Sequence, residues 1–80
     1  MADGYTLFLE YEAERANVTV WRRVNGKLIF VVSGHGRGPA CKMAALRDAS
    51  HRRGLEPAAK AELEELLRVV IDAQPKSTTD

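Results

Sequence analysis

The chain reads as an α+β domain, a three-stranded antiparallel β-sheet (a meander) followed by two α-helices. Three observations predict it. Residues 5–33 alternate apolar with polar at the period of a strand and are interrupted by Asn25-Gly26, the strongest short hairpin signal. A glycine-rich break, Ser33 to Pro39, ends that pattern. Beyond it, apolar residues recur at helical spacing up to Pro75.

The first strand is expected over Tyr5 to Glu12, where Tyr5, Leu7, Leu9 and Tyr11 fall on one side and Thr6, Phe8, Glu10 and Glu12 on the other. Glu14 to Asn17 reads as a turn and Val18 to Val24 as the second strand. Asn25-Gly26 suits a two-residue loop because both central residues need positive φ. Lys27 to Ser33 is the third strand. The turn sets a register: Val24 faces Lys27, Arg22 faces Ile29, Trp21 faces Phe30 and Val20 faces Val31. One face then carries Val18, Val20, Val24, Ile29 and Val31; the other carries Thr19, Trp21, Arg23, Leu28, Phe30 and Val32. A third strand apolar on both sides needs cover on both, from helices or from another molecule.

Pro39 suits the first position of a helix, and Ala40 to Arg53 reads as a short, alanine-rich one. His51, Arg52 and Arg53 followed by Gly54 make a good helix C-terminus, with cations at the negative dipole end and then glycine. Pro57 opens the second helix. Its apolar stripe is Ala59, Leu63, Leu66, Leu67, Val70 and Ile71; its polar side is Glu62, Glu64, Glu65 and Arg68. Residues 1–74 form one domain in this reading, and 75–80 a loose tail.

With 80 residues there is room for one core. A domain of this size hides only about 60% of the surface its unfolded chain exposes, so a partner would help it and a deep enzymatic cleft is hard to build. The one cysteine, Cys41, permits no internal disulfide and suits a reducing cytoplasm. The start lacks the basic and apolar regions of a signal peptide, and no apolar run nears the ~20 residues of a membrane span. The net charge of +1 conceals segregation: residues 1–14 sum to −4, 15–53 to +8 and 54–80 to −3. A basic middle between acidic ends gives a bipolar surface.

Four candidate sites follow. The stretch Gly34-His35-Gly36-Arg37-Gly38 could wrap an anion, with Arg37 and His35 adding charge. It lacks the Gly-Lys-Ser/Thr ending and the βαβ setting of a phosphate loop, and a plain connection is the simpler reading. Cys41 near a helix start, with His35 and His51 in the chain, invites a nucleophilic pair. No third orienting group or paired metal spacing accompanies it, so no catalytic residue, metal or cofactor is assigned. Phe8, Trp21 and Phe30, with Leu28, Val32 and Arg23 beside them, would share one sheet face. They suit a stacking platform for bases or an interface anchor, unless the second helix packs over them, which is the expected arrangement. Arg37, Lys42, Arg47, Arg52 and Arg53 belong to the break and the first helix; residues 42, 46, 49 and 53 share a helical face, so Lys42 and Arg53 can form a row along a phosphate backbone. The expected partner-binding set is therefore Arg23, Arg37, Lys42, Arg47, Arg52, Arg53, Trp21 and Phe30.

The run from Val18 through Asn25-Gly26-Lys27 to Phe30, the glycines, and then Ala40 to Leu46 resembles two known layouts. One is the small phage-encoded anti-CRISPR proteins; the other is the sheet-plus-helix DNA-binding module of plant-type transcription factors and phage integrase arms. The first resemblance implies a non-enzymatic inhibitor that occludes a nucleic-acid or subunit surface on a bacterial host complex. The second implies direct nucleic-acid binding. A dimerising accessory subunit is the third alternative, since the exposed apolar surface would also suit a homodimer. A membrane partner is not expected.

Overall fold

The computed structural model describes residues 4–73. Three strands, β1 (Gly4–Glu12), β2 (Arg15–Val24) and β3 (Lys27–Arg37), form an antiparallel sheet in the order β1-β2-β3. Two helices follow, α1 (Cys41–Ser50) and α2 (Pro57–Ala73). This is the α+β architecture expected. The tail assigned to 75–80 lies outside the described residues.

Both strand connections are tighter than a loop. Glu12 pairs with Arg15, so the first turn is Ala13-Glu14; of the turn expected at Glu14 to Asn17, only Glu14 turns, and Arg15 to Asn17 begin β2. Nothing marks this turn in the sequence, because Ala13 holds a left-handed φ of 53° that asparagine or glycine more often supplies. The backbone N–H of Gly38 donates to the carbonyl of Glu14 at 2.8 Å and holds it. At the second turn Asn25 and Gly26 take φ of 53° and 79°, as a two-residue loop requires.

The register from that turn holds for Val24–Lys27, Arg22–Ile29 and Trp21–Phe30, and then breaks. Val20 pairs with Val32, not Val31, because β3 carries one extra residue there. Without the bulge, Phe30 and Val32 would share a face, as expected from alternation. With it, Leu28 and Phe30 turn away from the helices while Val32, Gly34 and Gly36 turn towards them.

The stretch from Gly34 to Arg37 is therefore strand, neither connection nor anion loop. Its glycines are there for α1. A Cβ on Gly34 would stand 2.5 Å from the amide nitrogen of Ala49, and one on Gly36 would stand 2.5 Å from that of Ala45. Ala45 and Ala49 are fully buried on the facing side, so helix backbone lies on strand backbone.

The core joins Val18, Val20 and Val32 of the sheet to Ala45, Leu46 and Ala49 of α1 and Leu63 of α2. Burying each of the larger side chains contributes about 1.5–3 kcal/mol. Tyr5, Leu7 and Leu9 pack against it from β1. α1 ends at Ser50, three residues before the expected Arg53; the Ser50 hydroxyl donates to the carbonyl of Arg47 at 3.0 Å, and the backbone then turns through Gly54 at φ 82°. Pro57 opens α2 at its first position, and Ala59 and Leu63 anchor it. Ile71, expected in the apolar stripe, is exposed. Tyr5 and Arg22, partners across β1 and β2, clamp the inter-helix linker: the Tyr5 hydroxyl donates to Glu56 at 2.5 Å and the Arg22 guanidinium to the same carboxylate at 2.8 Å.

Candidate binding surface

Both helices lie on one side of the sheet, the side of Val18, Val20, Val32, Gly34 and Gly36. The expectation that α2 covers the aromatic side does not hold, and among the described residues β3 is covered on one face only. The reason is the bulge together with α1. The glycines draw α1 onto the Val32–Gly36 half of β3, and α2 stacks on α1 and meets the sheet at β1.

The opposite face is open. Paired residues of an antiparallel ladder share a face, so it carries Thr6, Phe8, Thr19, Trp21, Leu28 and Phe30 at its centre. Phe8 is 58% exposed, Phe30 55% and Leu28 53%. Trp21 is half-buried and meets Phe30 edge to face, with ring centres 5.8 Å apart and planes at 81°. Arg23 stands at one end, its guanidinium across Gly4. Arg15 and Arg37, a register pair, stand at the other, near Glu10 and Glu12 in a shallow depression of about 700 Å³ that also touches Asn17 and His35. The side-chain oxygen of Asn17 is buried there without a hydrogen-bond partner among the described residues. Ile29 faces the helix side yet is 51% exposed, because the helices stop short of the hairpin tip.

The expected partner-binding residues thus separate into groups. Trp21, Phe30, Arg23 and Arg37 share the open face. Lys42 lies on the other side, with its Nζ 3.8 Å from the centre of the Tyr11 ring. Arg47 lies about 140° further round α1 by helical geometry. Arg52 pairs with Asp48 at 3.2 Å. The proposed row of Lys42 and Arg53 does not form, because α1 ends before Arg53, and residues 46 and 49 between them are buried. The basic middle is two surfaces separated by the sheet. The bulge, which sorts the residues of β3 between the two faces, has no signal in the sequence beyond the paradox of a strand apolar on both sides.

Cys41 is buried beneath α1, its own carbonyl against Gly36. His35, one residue from Gly36 along β3, projects from the other face, so the sheet lies between them. His51 is ten residues further on, about 15 Å along the helix axis. Among the described residues no group of three His, Cys, Asp or Glu side chains could hold a metal ion, and no helix is long and apolar enough to cross a membrane.

Asp48 is the most perturbed carboxylate of this region. The backbone N–H of His35 donates to it at 2.9 Å, and this bond, first in size, holds its carboxyl below the usual range against the desolvation that opposes it, with the charge and hydrogen bond of Arg52 adding to the lowering. The Tyr5 phenol is pushed up by its hydrogen bond to Glu56.

No protein-family model, curated protein or solved structure matches this chain.

Proposed function

We propose that the chain is a non-enzymatic binding protein whose working surface is the open face of the sheet, and that its partner there is a protein. One observation carries this: Phe8, Leu28 and Phe30 stand more than half exposed around Trp21 on a face that neither α1 nor α2 covers among the described residues. Aromatic anchors at the centre with arginine and hydroxyl groups around them are the anatomy of a protein interface. A surface that follows a phosphate backbone needs an unbroken row of bases. Here Arg15 and Arg37 stand near Glu10 and Glu12, Arg23 stands apart from them at the far end of the face, and Lys42 and Arg52 belong to the other side of the molecule. Inhibition of a bacterial host complex by occlusion, the role implied by the anti-CRISPR resemblance, is the finer form of this proposal.

The βββα nucleic-acid reading is supported by one arrangement, an open three-stranded face backed by a helix, and the same experiment separates the two. The intact protein is used to capture partners from a bacterial lysate, with and without nuclease, beside Phe8→Ser/Phe30→Ser and Arg47→Glu variants, and is titrated with random-sequence duplex DNA at rising salt. The expected result is nuclease-resistant capture, lost with the phenylalanines and kept with Arg47→Glu, and no binding to DNA at low salt. DNA binding that falls steeply with salt would replace this reading with the second.

A further inference from the structure

Half of the β3 edge is closed and half is open. β3 lies at one side of the sheet. The pair that closes a two-residue turn, here Val24–Lys27, exchanges both backbone hydrogen bonds. Alternation from that pair turns the N–H and C=O groups of Leu28 and Phe30 outward, away from β2. Near the other end of the strand an outward N–H belongs to His35, and Asp48 accepts it. At the tip no described residue plays the part of Asp48. Among the described residues no other segment bonds the backbone of Leu28 or Phe30.

α1 runs back along β3, with Cys41 against Gly36 and Ala49 against Gly34, so the linker that follows it arrives beside this open half. A groove of about 260 Å³ lies between Ile29–Val32 and the linker residues Arg52, Arg53 and Glu56. Glu56 is neutralised by Arg22. Arg52 is shared with Asp48, and Arg53 has no ion-pair partner among the described residues. The uncompensated charge beside the open edge is positive.

We propose that this edge takes up an extended acidic peptide segment of a partner protein as a fourth strand. The peptide backbone bonds Leu28 and Phe30, its carboxylates fall on the helix side beside Arg53 and Arg52, and its alternate apolar side chains fall on the other side beside Leu28 and Phe30. A second copy of this chain is a poorer occupant, because β3 against β3 brings the Lys27, Arg52 and Arg53 of both copies to one seam. The edge is a different surface from the open face, and either assignment can fail without the other.

The probe is a fluorescein-labelled heptapeptide of sequence Glu-Val-Glu-Thr-Glu-Val-Glu, compared with its lysine-for-glutamate counterpart. Two further versions are N-methylated on alternate residues, one set each. Anisotropy reads affinity, and hydrogen exchange of the intact protein reads location. The acidic peptide binds and the lysine peptide does not; one N-methylated version loses binding and the other keeps it. Exchange slows at Leu28 and Phe30. Arg53→Glu weakens the acidic peptide about fivefold and Arg53→Lys restores it. Absence of binding at millimolar peptide overturns the proposal, as does equal binding of both N-methylated versions. Slowed exchange at Phe8 and Thr19 in place of Leu28 would put the peptide on the open face. Slowing at Leu28 that grows with protein concentration and needs no peptide would give the edge to a second copy.

Discussion

Asp48 Oδ2 accepts the backbone N–H of His35 at 2.9 Å and stands 3.2 Å from the Arg52 guanidinium, so one carboxylate ties α1 to the edge of β3. Its lowered pKa gives the tie a pH dependence. The folded state holds the proton less tightly than the unfolded chain. The contribution is therefore present above the ordinary aspartate value of about 3.9 and lost as pH falls through the lower folded value. Asp48→Asn is expected to flatten the loss of melting temperature between about pH 5 and pH 2. Because Asp48 is well exposed, its effect at neutral pH should stay under about 1 kcal/mol.

The Tyr5–Glu56 bond acts at the other end of the scale. A raised phenol pKa means that the folded state keeps the proton longer than the unfolded chain. Stability from this source is present below the ordinary tyrosine value of about 10 and lost as pH rises through the folded value. Tyr5→Phe should lower the melting temperature at neutral pH and remove this alkaline component. Melts of both proteins between about pH 8 and pH 11 check it.

Gly34 and Gly36 should tolerate no side chain. Gly34→Ala or Gly36→Ala drives a methyl into the backbone of α1, and a loss of about 3 kcal/mol or more is expected by denaturant unfolding, at the upper end for an overpacked contact. Gly38, with φ 92° and open space around it, is the control. There alanine meets only backbone strain, worth about 1 kcal/mol.

Phe8 should be dispensable for folding. Phe8→Ser on the open face is expected to cost under about 1 kcal/mol, whereas Leu46→Ala in the core should cost about 2–5 kcal/mol. Urea titrations of the two variants check the contrast. A loss at Phe8 comparable to that at Leu46 would mean that the face helps to hold the monomer together.

Asn17 is the inverse case. Its side-chain oxygen is buried on a central strand without a partner among the described residues. Asn17→Val removes that unmet acceptor and places a better strand former, so a gain of about 1 kcal/mol is expected in the same titrations.

The order of elements was legible because each left a local trace: alternation from Tyr5 to Glu12, Asn25-Gly26 at the hairpin, Pro57 at the start of α2. Three features left none. Ala13 turns the chain with a residue that rarely does so. Gly34 and Gly36 look the same in sequence whether they free a loop or admit a helix; only the alanines at 45 and 49, met across space, decide. The extra residue at Val31 changes which side chains share a face without changing composition or period over a short window. The candidate site was legible as a set of aromatics, Phe8, Trp21 and Phe30. Its exposure was not, because that depends on where α2 lands, and α2 lands on α1.

The bulge also divides β3 into two reading frames. From Val32 onward, the alternate positions Val32, Gly34 and Gly36 are read by the interior; from Lys27 to Phe30 substitutions are read by solvent and whatever docks there. Alternation normally couples these two audiences along a strand, since a change of phase at one end propagates to the other. One inserted residue uncouples them, so the tip can change its chemistry while the half beneath α1 stays fixed. Deleting Val31 would reconnect the frames, with Phe30 still opposite Trp21 and Val32 still opposite Val20, now as neighbours in one unbroken alternation.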